Sequence, residues 1–321
     1  MKATATAHPI QGLIKYHGLS DPILRIPFHD SISVCAGALV TTTTVETDPD
    51  IGDDSIVVNG RQMLGRDRER AEIVLGKLRS MAGYSGHLKV MSMNSIREGK
   101  GLGFSASGFA ALGLSASAAL GIDLDEVSLS EVVRLGAGSA TRSLSGAFSI
   151  WYANKDGKSY AEQIAKGEGL DLLMIIVPIP SSIRTDEAHI EVLSSPLFDA
   201  RLKRVPDMIE SMRKSIAMRD IPAIAGLAEE DSLNLHAITM TGKSHMVLWE
   251  PETVGVIKEV IRMREEGIPA WYSIDTGPSV FVNTLKHRAQ EVQSRLMEKV
   301  SGETILSDVG DGATLGGSPL F

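Results

Sequence analysis

Four short stretches of this chain bring together residue types that do chemistry. Asp275 opens Asp275-Thr-Gly-Pro278 between two apolar runs, so a carboxylate stands at a turn between strands. Such an aspartate either closes the turn by bonding nearby backbone or serves as a base on a bound ligand. Arg142 lies within Gly136-Ala-Gly-Ser-Ala-Thr-Arg-Ser-Leu-Ser-Gly146, among small residues that let a backbone come close to a ligand. A guanidinium fork in that setting suits a carboxylate or a phosphate, unless it pairs with a structural aspartate. Lys15, Tyr16 and His17 place a cation, a phenol and an imidazole at consecutive positions before Gly18. They form either a ligand-binding turn or a solvated lysine beside a packed histidine.

The fourth stretch runs from Asn94 to Gly108, Asn-Ser-Ile-Arg-Glu-Gly-Lys-Gly-Leu-Gly-Phe-Ser-Ala-Ser-Gly. The alternation of His87 to Met93 predicts a strand before it, and Phe109 to Leu120 predicts a helix after it. Gly99, Gly101 and Gly103 permit backbone conformations that a Cβ would block. The unpaired N–H groups opening the helix then point at whatever the loop encloses, which favours a phosphate. A flexible surface turn is the simpler alternative, but the strand, loop and helix order is that of phosphate-binding loops. The spacing fits neither a Walker A loop nor a dinucleotide fingerprint.

The elements that must position these groups are of mixed type. The first sixty residues read as β: an extended 3–16, Ser31–Cys35, 39–46, and Ser55–Val58 ending at the turn Asn59-Gly60. A charged amphipathic helix follows over 66–80, with Ile73, Val74 and Leu78 on one side. A helical stretch over 130–135 leads to the Arg142 segment, and strands are expected over 147–153 and 171–179. The segment 181–189 supplies hydroxyls and a further cation, Arg184. From Pro196 to Glu266 helical spacing dominates, over 197–204, 207–219, 221–236 and 251–266. Strands flank Asp275, a helix spans 286–300, a short strand covers 304–307, and the glycine-rich 310–317 reads as a loose end.

With 321 residues the chain can bury a sizeable core. Hydrophobic content of 43% and charged content of 22% are those of an ordinary globular protein. A net charge of −8 argues against a nucleic-acid partner bound through a broad basic face. The single cysteine, Cys35, excludes an internal disulfide and fits a cytoplasmic protein. No stretch of 18 apolar residues occurs, so no membrane partner is expected. The acidic run Asp48 to Asp54 reads as a solvated loop.

Taken in order, Lys15-Tyr-His-Gly, the loop Gly101-Leu-Gly-Phe-Ser-Ala-Ser-Gly108, Gly138-Ser-Ala-Thr-Arg-Ser143 and Asp275-Thr-Gly-Pro278 resemble the GHMP kinase superfamily over nearly the whole chain. Within it they are most similar to the mevalonate diphosphate decarboxylase branch, whose markers are Lys-Tyr-Trp-Gly-Lys, Gly-Leu-Ala-Ser-Ser-Ala-Ala-Gly, Ser-Gly-Ser-Ala-Cys-Arg-Ser and Asp-Ala-Gly-Pro. Asp231-Ser-Leu-Asn-Leu-His236 and Ser194-Ser-Pro-Leu-Phe198 also resemble motifs of that branch. His8-Pro-Ile-Gln-Gly-Leu-Ile-Lys-Tyr-His-Gly18 and Phe28-His-Asp-Ser-Ile-Ser-Val34 are similar to the archaeal and chloroflexal phosphomevalonate decarboxylases.

The resemblance implies an α+β GHMP kinase fold, a ribosomal protein S5-like N-terminal lobe over 1–180 and a ferredoxin-like C-terminal lobe over 181–321. It implies ATP as co-substrate, Mg2+, mevalonate 5-phosphate as the small-molecule substrate, and a homodimer. Asp275 would accept the proton of the tertiary hydroxyl, and Arg142 would clamp the substrate carboxylate beside Ser139. Lys15, Tyr16, His17, Arg70, Arg184 and Thr185 would surround the substrate and its 5-phosphate. Gly99, Lys100, Gly101, Leu102, Gly103, Ser105, Ala106 and Ser107 would cradle the ATP phosphates, with Ser105 facing magnesium.

Two departures qualify this reading. Leu19 removes a cation that lies near the catalytic aspartate in the diphosphate enzymes, and Phe104 replaces the first serine of the loop's pair. Phe104 keeps an ATP-independent mevalonate 3,5-bisphosphate decarboxylase in view, alongside a mevalonate 5-diphosphate decarboxylase and a non-decarboxylating mevalonate kinase. A non-catalytic sensor of the same fold is the alternative from another class. Asp275, Arg142 and Ser105 together argue against it.

Overall fold

A computed structural model describes residues 1–48, 50–96, 102–180 and 185–321, and the backbone alone of 185 and 186. The N-terminal strands are β1 (Lys2–Ala7), β2 (Ile10–Ile14), β3 (Leu19–Asp21), β4 (Ile26–Pro27), β5 (Ser31–Cys35), β6 (Thr41–Asp48), β7 (Ser55–Val58) and β8 (Arg61–Gln62). Helix α1 (Gly65–Ala82) and β9 (His87–Asn94) follow, then α2 (Phe104–Ala119), α3 (Glu126–Gly136) and α4 (Ala140–Ser145). Next come β10 (Phe148–Trp151), β11 (Ala161–Ala165), β12 (Leu172–Val177) and helices α5 (Thr185–Glu191), α6 (Phe198–Met218), α7 (Ile221–Met240) and α8 (Pro251–Glu265). The chain ends with β13 (Ala270–Ile274), β14 (Val280–Leu285), α9 (Ala289–Met297), β15 (Ile305–Ser307) and β16 (Thr314–Leu315).

Three larger sheets and a small hairpin organise these elements into an α+β architecture. The first sheet has the order β16-β1-β6-β9-β7-β8, antiparallel except where β7 runs parallel to β9. Ala5, Ala7, Val45 and Val90 on its inner face pack against Val74, Leu75 and Leu78 of α1 and Ala110, Ala111 and Ala116 of α2. Helix α2 is built of Ala, Ser, Gly and a few large apolar residues and is buried on most sides. Its small side chains let neighbouring backbones approach closely, so it carries no one-sided apolar stripe.

The second sheet has the order β11-β10-β5-β2, and the third β13-β14-β12-β15, wholly antiparallel. Apolar residues of β2, β5 and β10 join Met208, Met212 and Ile216 of α6 and Ile224 and Ala228 of α7 in one core. A further core lies between the third sheet and Val256, Val260 and Met263 of α8. Strand β12, although it precedes residue 180, bonds within the third sheet, whereas β16 returns to pair with β1.

Several local expectations are corrected. Helix α2 begins at Phe104 instead of Phe109, because Gly103 at φ 74° is its N-cap and the Ala106 and Ser107 N–H groups donate to the Gly103 carbonyl. The stretches 197–204 and 207–219 form one helix, α6, with Pro206 inside it. Pro206 lies on the exposed side of the helix, while the buried stripe Val205, Met208, Met212 and Ile216 runs past it. Ile73 is exposed, the buried face of α1 being Ala71, Val74, Leu75 and Leu78.

Asp54 is not solvated. It is buried, accepting from the Leu88 N–H at 2.9 Å and from Arg79 Nη1 at 2.9 Å. Nor is 310–317 a loose end, since Gly310 N–H donates to the Cys35 carbonyl, its own carbonyl accepts from Ala147, and β16 closes the first sheet. The helix expected over 286–300 is Ala289–Met297, after a short 3-10 turn, Lys286–Arg288.

Candidate active site

The Asp275 turn links the ends of β13 and β14. Its backbone closes it, Gly277 N–H donating to the Asp275 carbonyl at 3.0 Å, so the carboxylate is left to reach across to β2. There it accepts from the Gly12 N–H, at 3.0 Å to Oδ2 and 3.2 Å to Oδ1. A Cβ on Gly12 would sit 2.9 Å from Oδ1 and 2.7 Å from Lys15 Cγ, so this close approach requires glycine.

Lys15 extends from the end of β2 into the same interior. Its Nζ donates to Ser273 Oγ at 2.9 Å and to the Ala228 carbonyl at 3.3 Å, and stands 3.8 Å from Asp275 Oδ1 and 3.9 Å from Asp231 Oδ2. Burial pulls the Lys15 ammonium below its ordinary pKa, against the two carboxylates. Burial pushes the Asp275 carboxyl above its ordinary value, opposed by Lys15, the Gly12 N–H and Arg142. Among the substrate residues expected from sequence, Lys15 is therefore placed against the candidate base, with only 4% of its side chain exposed.

Arg142 enters from α4. Its side chain is buried, and among the described residues Nε and Nη1 have no hydrogen-bond partner. The guanidinium carbon lies 5.4 Å from the Tyr16 ring and 5.9 Å from that of Trp151, and Asp275 contributes to its field. A buried cation with unpartnered donors is costly unless an anion completes it. Tyr16 meets Trp151 edge to face at 4.8 Å and stacks on His189 of α5 at 4.9 Å. Ser139, half-buried, sits just before α4, and its carbonyl accepts from the Arg142 N–H at 3.2 Å.

The other expected substrate residues are more dispersed. His17 is buried with its ring 4.6 Å from that of His189, and burial holds it neutral, its pKa well below the ordinary value. Arg70, on α1, donates from Nε to the Gly136 carbonyl at 2.6 Å and lies over the Phe109 ring, which places it beside the start of the Arg142 segment. Arg184 and the side chain of Thr185 lie outside the described residues, as do Gly99, Lys100 and Gly101.

What is described of the glycine-rich stretch is compact. Gly103 adopts φ 74°, and a Cβ there would lie 2.7 Å from the Ile10 carbonyl oxygen. Leu102 and Ala106 are buried, and Ser107 bonds to Thr41 Oγ1 at 2.7 Å, so its hydroxyl is committed inward. Phe104 packs its ring partly against the core shared by β2 and α7. Ser105 is exposed in the first turn of α2 and presents a hydroxyl beside the helix's opening N–H groups. That donor set fits a phosphate with its counter-cation, since magnesium takes few protein ligands and keeps phosphate oxygens and water.

Sequence reasoning passed over Arg201, Ser273, Trp151 and His189, and met Asp231 only as part of a motif. Arg201 lies on the buried stripe of α6 and Asp231 on that of α7. A charged residue at an apolar phase of each of two successive helices was the available signal.

The chain carrying this fold and site matches two domain models of one decarboxylase family. Residues 7–161 match the diphosphomevalonate decarboxylase-like N-terminal domain, and residues 184–314 match the mevalonate 5-diphosphate decarboxylase C-terminal domain. The chain belongs to the diphosphomevalonate decarboxylase-like family and has the GHMP kinase fold. It is 40% identical to the phosphomevalonate decarboxylase of Haloferax volcanii over 93% of both chains. A solved structure described as MDDEF in complex with MVAPP, AMPPCP and magnesium is 27% identical, with a TM-score of 0.92 over 99% of both chains. The mevalonate diphosphate decarboxylase of Staphylococcus aureus, also 27% identical, superposes with a TM-score of 0.92 over 98% of both. No helix among the described residues is long and apolar enough to cross a membrane.

Proposed function

We propose that this protein catalyses the ATP-dependent decarboxylation of mevalonate 5-phosphate to isopentenyl phosphate. The observation that carries the reading is the pairing of a buried Arg142, with two donor nitrogens unpartnered among the described residues, and an Asp275 carboxylate held by Gly12 and Lys15 in one interior. One group is shaped to receive a carboxylate, the other to receive a proton. The 40% identity to an enzyme named phosphomevalonate decarboxylase supports the monophosphate as substrate.

In the first step Asp275 takes the proton of the tertiary 3-hydroxyl as its oxygen bonds to the γ-phosphorus, and ADP leaves. In the second the C3–O bond breaks and phosphate departs with the bonding pair. The C–C bond to the carboxylate supplies the electrons of the new double bond, and carbon dioxide leaves. Arg142 holds the carboxylate in line for that cleavage. Tyr16, with Arg70, Arg184, Thr185 and His17, belongs to the substrate side of the site in this reading, and the N-terminus of α2 with Ser105 to the ATP side. Magnesium, when bound, supplies charge neutralisation at the phosphates.

Phosphoryl transfer depends mostly on positioning and charge stabilisation, and the packing of Phe104 against the core leaves Ser105 as the polar group facing outward. That arrangement favours use of ATP over the ATP-independent 3,5-bisphosphate reaction. A cytoplasmic homodimer with lobes over 1–180 and 181–321 belongs to the same reading, and light scattering at twice the chain mass is its expected result.

The test of substrate choice is a comparison of kcat/KM for mevalonate 5-phosphate and mevalonate 5-diphosphate at saturating MgATP. A preference for the monophosphate of about tenfold or more, roughly 1.4 kcal/mol in transition-state binding, is expected. A preference for the diphosphate would overturn the assignment.

A further inference from the structure

The Lys15 peptide is gripped on both sides. Its N–H donates to Asp231 Oδ2 at 2.8 Å, while Arg201 Nη2 donates to its carbonyl at 2.7 Å and to Asp231 Oδ1 at 2.9 Å. These three bonds close a ring in which a side chain from α6 and one from α7 fix the backbone immediately after β2. Asp231 is wholly buried, and Arg201 and Lys15 are 2% and 4% exposed. Well-packed apolar residues would hold two helices together at lower desolvation cost, so a buried ion pair at this place calls for a purpose beyond packing.

The direction of Lys15 supplies one. The Asp231 oxygen that receives its N–H also lies 3.9 Å from its Nζ, and the ammonium then faces Asp275 at 3.8 Å. The charges thus alternate along Arg201, Asp231, Lys15 and Asp275. The groups that bear on Lys15 are Asp231 and His236 of α7, Asp275 of the β13–β14 turn, Arg201 of α6 and Arg142 of α4.

We propose that Asp231 and Arg201 are positioning residues of the active site, together clamping the Lys15 peptide so that its ammonium is aimed at Asp275, with Asp231 alone also helping to keep that ammonium charged. The catalytic consequence rests on the function proposed above; the clamp itself does not. Asp231 adds the negative charge that holds a proton on a buried lysine, and Arg201 opposes it. Removing one or the other therefore moves Lys15 in opposite directions, which a loss of packing alone would not do.

The experiment is a titration of full-length protein carrying ε-13C-lysine, read by NMR, with the Lys15 signal assigned by its loss in Lys15→Arg. Asp231→Asn keeps an oxygen for the Lys15 N–H but removes the charge, and its Lys15 midpoint falls by about one pH unit or more, the usual effect of a charge within about 4–6 Å. Arg201→Gln raises the midpoint. In parallel, the basic limb of the kcat profile with mevalonate 5-phosphate and MgATP shifts in the same two directions. Unchanged midpoints, or shifts of the same sign in both variants, would overturn the proposal. If Asp231→Asn fails to fold, Arg201→Gln decides alone, a rise supporting the clamp and no change or a fall refuting it. If the wild type does not turn over this substrate, the functional reading fails while the titration still judges the clamp.

Discussion

Lys15 Nζ lies 3.8 Å from Asp275 Oδ1, and neither group has free access to bulk water, their side chains being 4% and 19% exposed. Burial alone favours the neutral form of each, and their mutual attraction opposes that push. Among the described residues, Lys15 is the ammonium that lies within 4 Å of Asp275.

Lys15→Met removes the cation that opposes the upward push of burial on Asp275. The carboxyl pKa rises further, and because the reaction needs the carboxylate, the acidic limb of the kcat profile moves to higher pH. Turnover also falls, by about 10²-fold, the scale of a lost contribution to general-base function. A pH-rate profile checks both. A fall in amplitude with an unmoved limb would mean that Lys15 does not tune Asp275.

Arg142→Lys keeps a positive charge but loses the planar fork and its Nε. With two donors of Arg142 available for the substrate carboxylate, kcat/KM should drop by about 10²-fold, or 2–3 kcal/mol, the strength of a charge-assisted bidentate contact. Steady-state kinetics read it directly. A lysine variant of near-native efficiency would remove Arg142 from that role.

Gly103→Ala places a Cβ 2.7 Å from the Ile10 carbonyl oxygen at a residue held at φ 74°. The left-handed backbone alone costs about 1–2 kcal/mol for a non-glycine residue. Thermal unfolding should show a comparable loss of stability, and calorimetry a weaker affinity for ATP, because α2 must shift away from β2. Unchanged ATP affinity in the folded variant would separate the helix start from nucleotide binding.

Cys35 is buried and its thiol is pushed up to about 12 by burial. At pH 8 the native protein should therefore react with iodoacetamide more slowly than the unfolded chain by a factor on the order of 10³, since the thiolate is the nucleophile. Rapid labelling of the native state would contradict the packing of β5 against α2.

Much of this molecule was legible in its residues, and the limits were physical. The strands over 31–35 and 55–58 and the turn before β14 followed from β-branched density and punctuation, and the strand over 87–93 from its alternation, because periodicity reports a half-buried strand directly. Asp275 and Arg142 stood out because small residues surround them. The start of α2 was hidden, since glycine and serine signal loop and cap alike until Gly103 is seen against Ile10. The tail was misread because glycine carries no pattern of its own; Gly310 is fixed by Cys35 and Ala147, far away in sequence. Arg201 was missed because its partners, Lys15 and Asp231, come from distant elements.

The central claim is that this site couples ATP use to decarboxylation of mevalonate 5-phosphate. Its most direct test is the simultaneous measurement of carbon dioxide and ADP from purified protein and that substrate, with and without MgATP, for wild type and Asp275→Asn. Equal amounts of both products, formed only when ATP is present and reduced by about 10²-fold or more in the variant, are the predicted result. Carbon dioxide released without ATP, or near-normal turnover by Asp275→Asn, would contradict it.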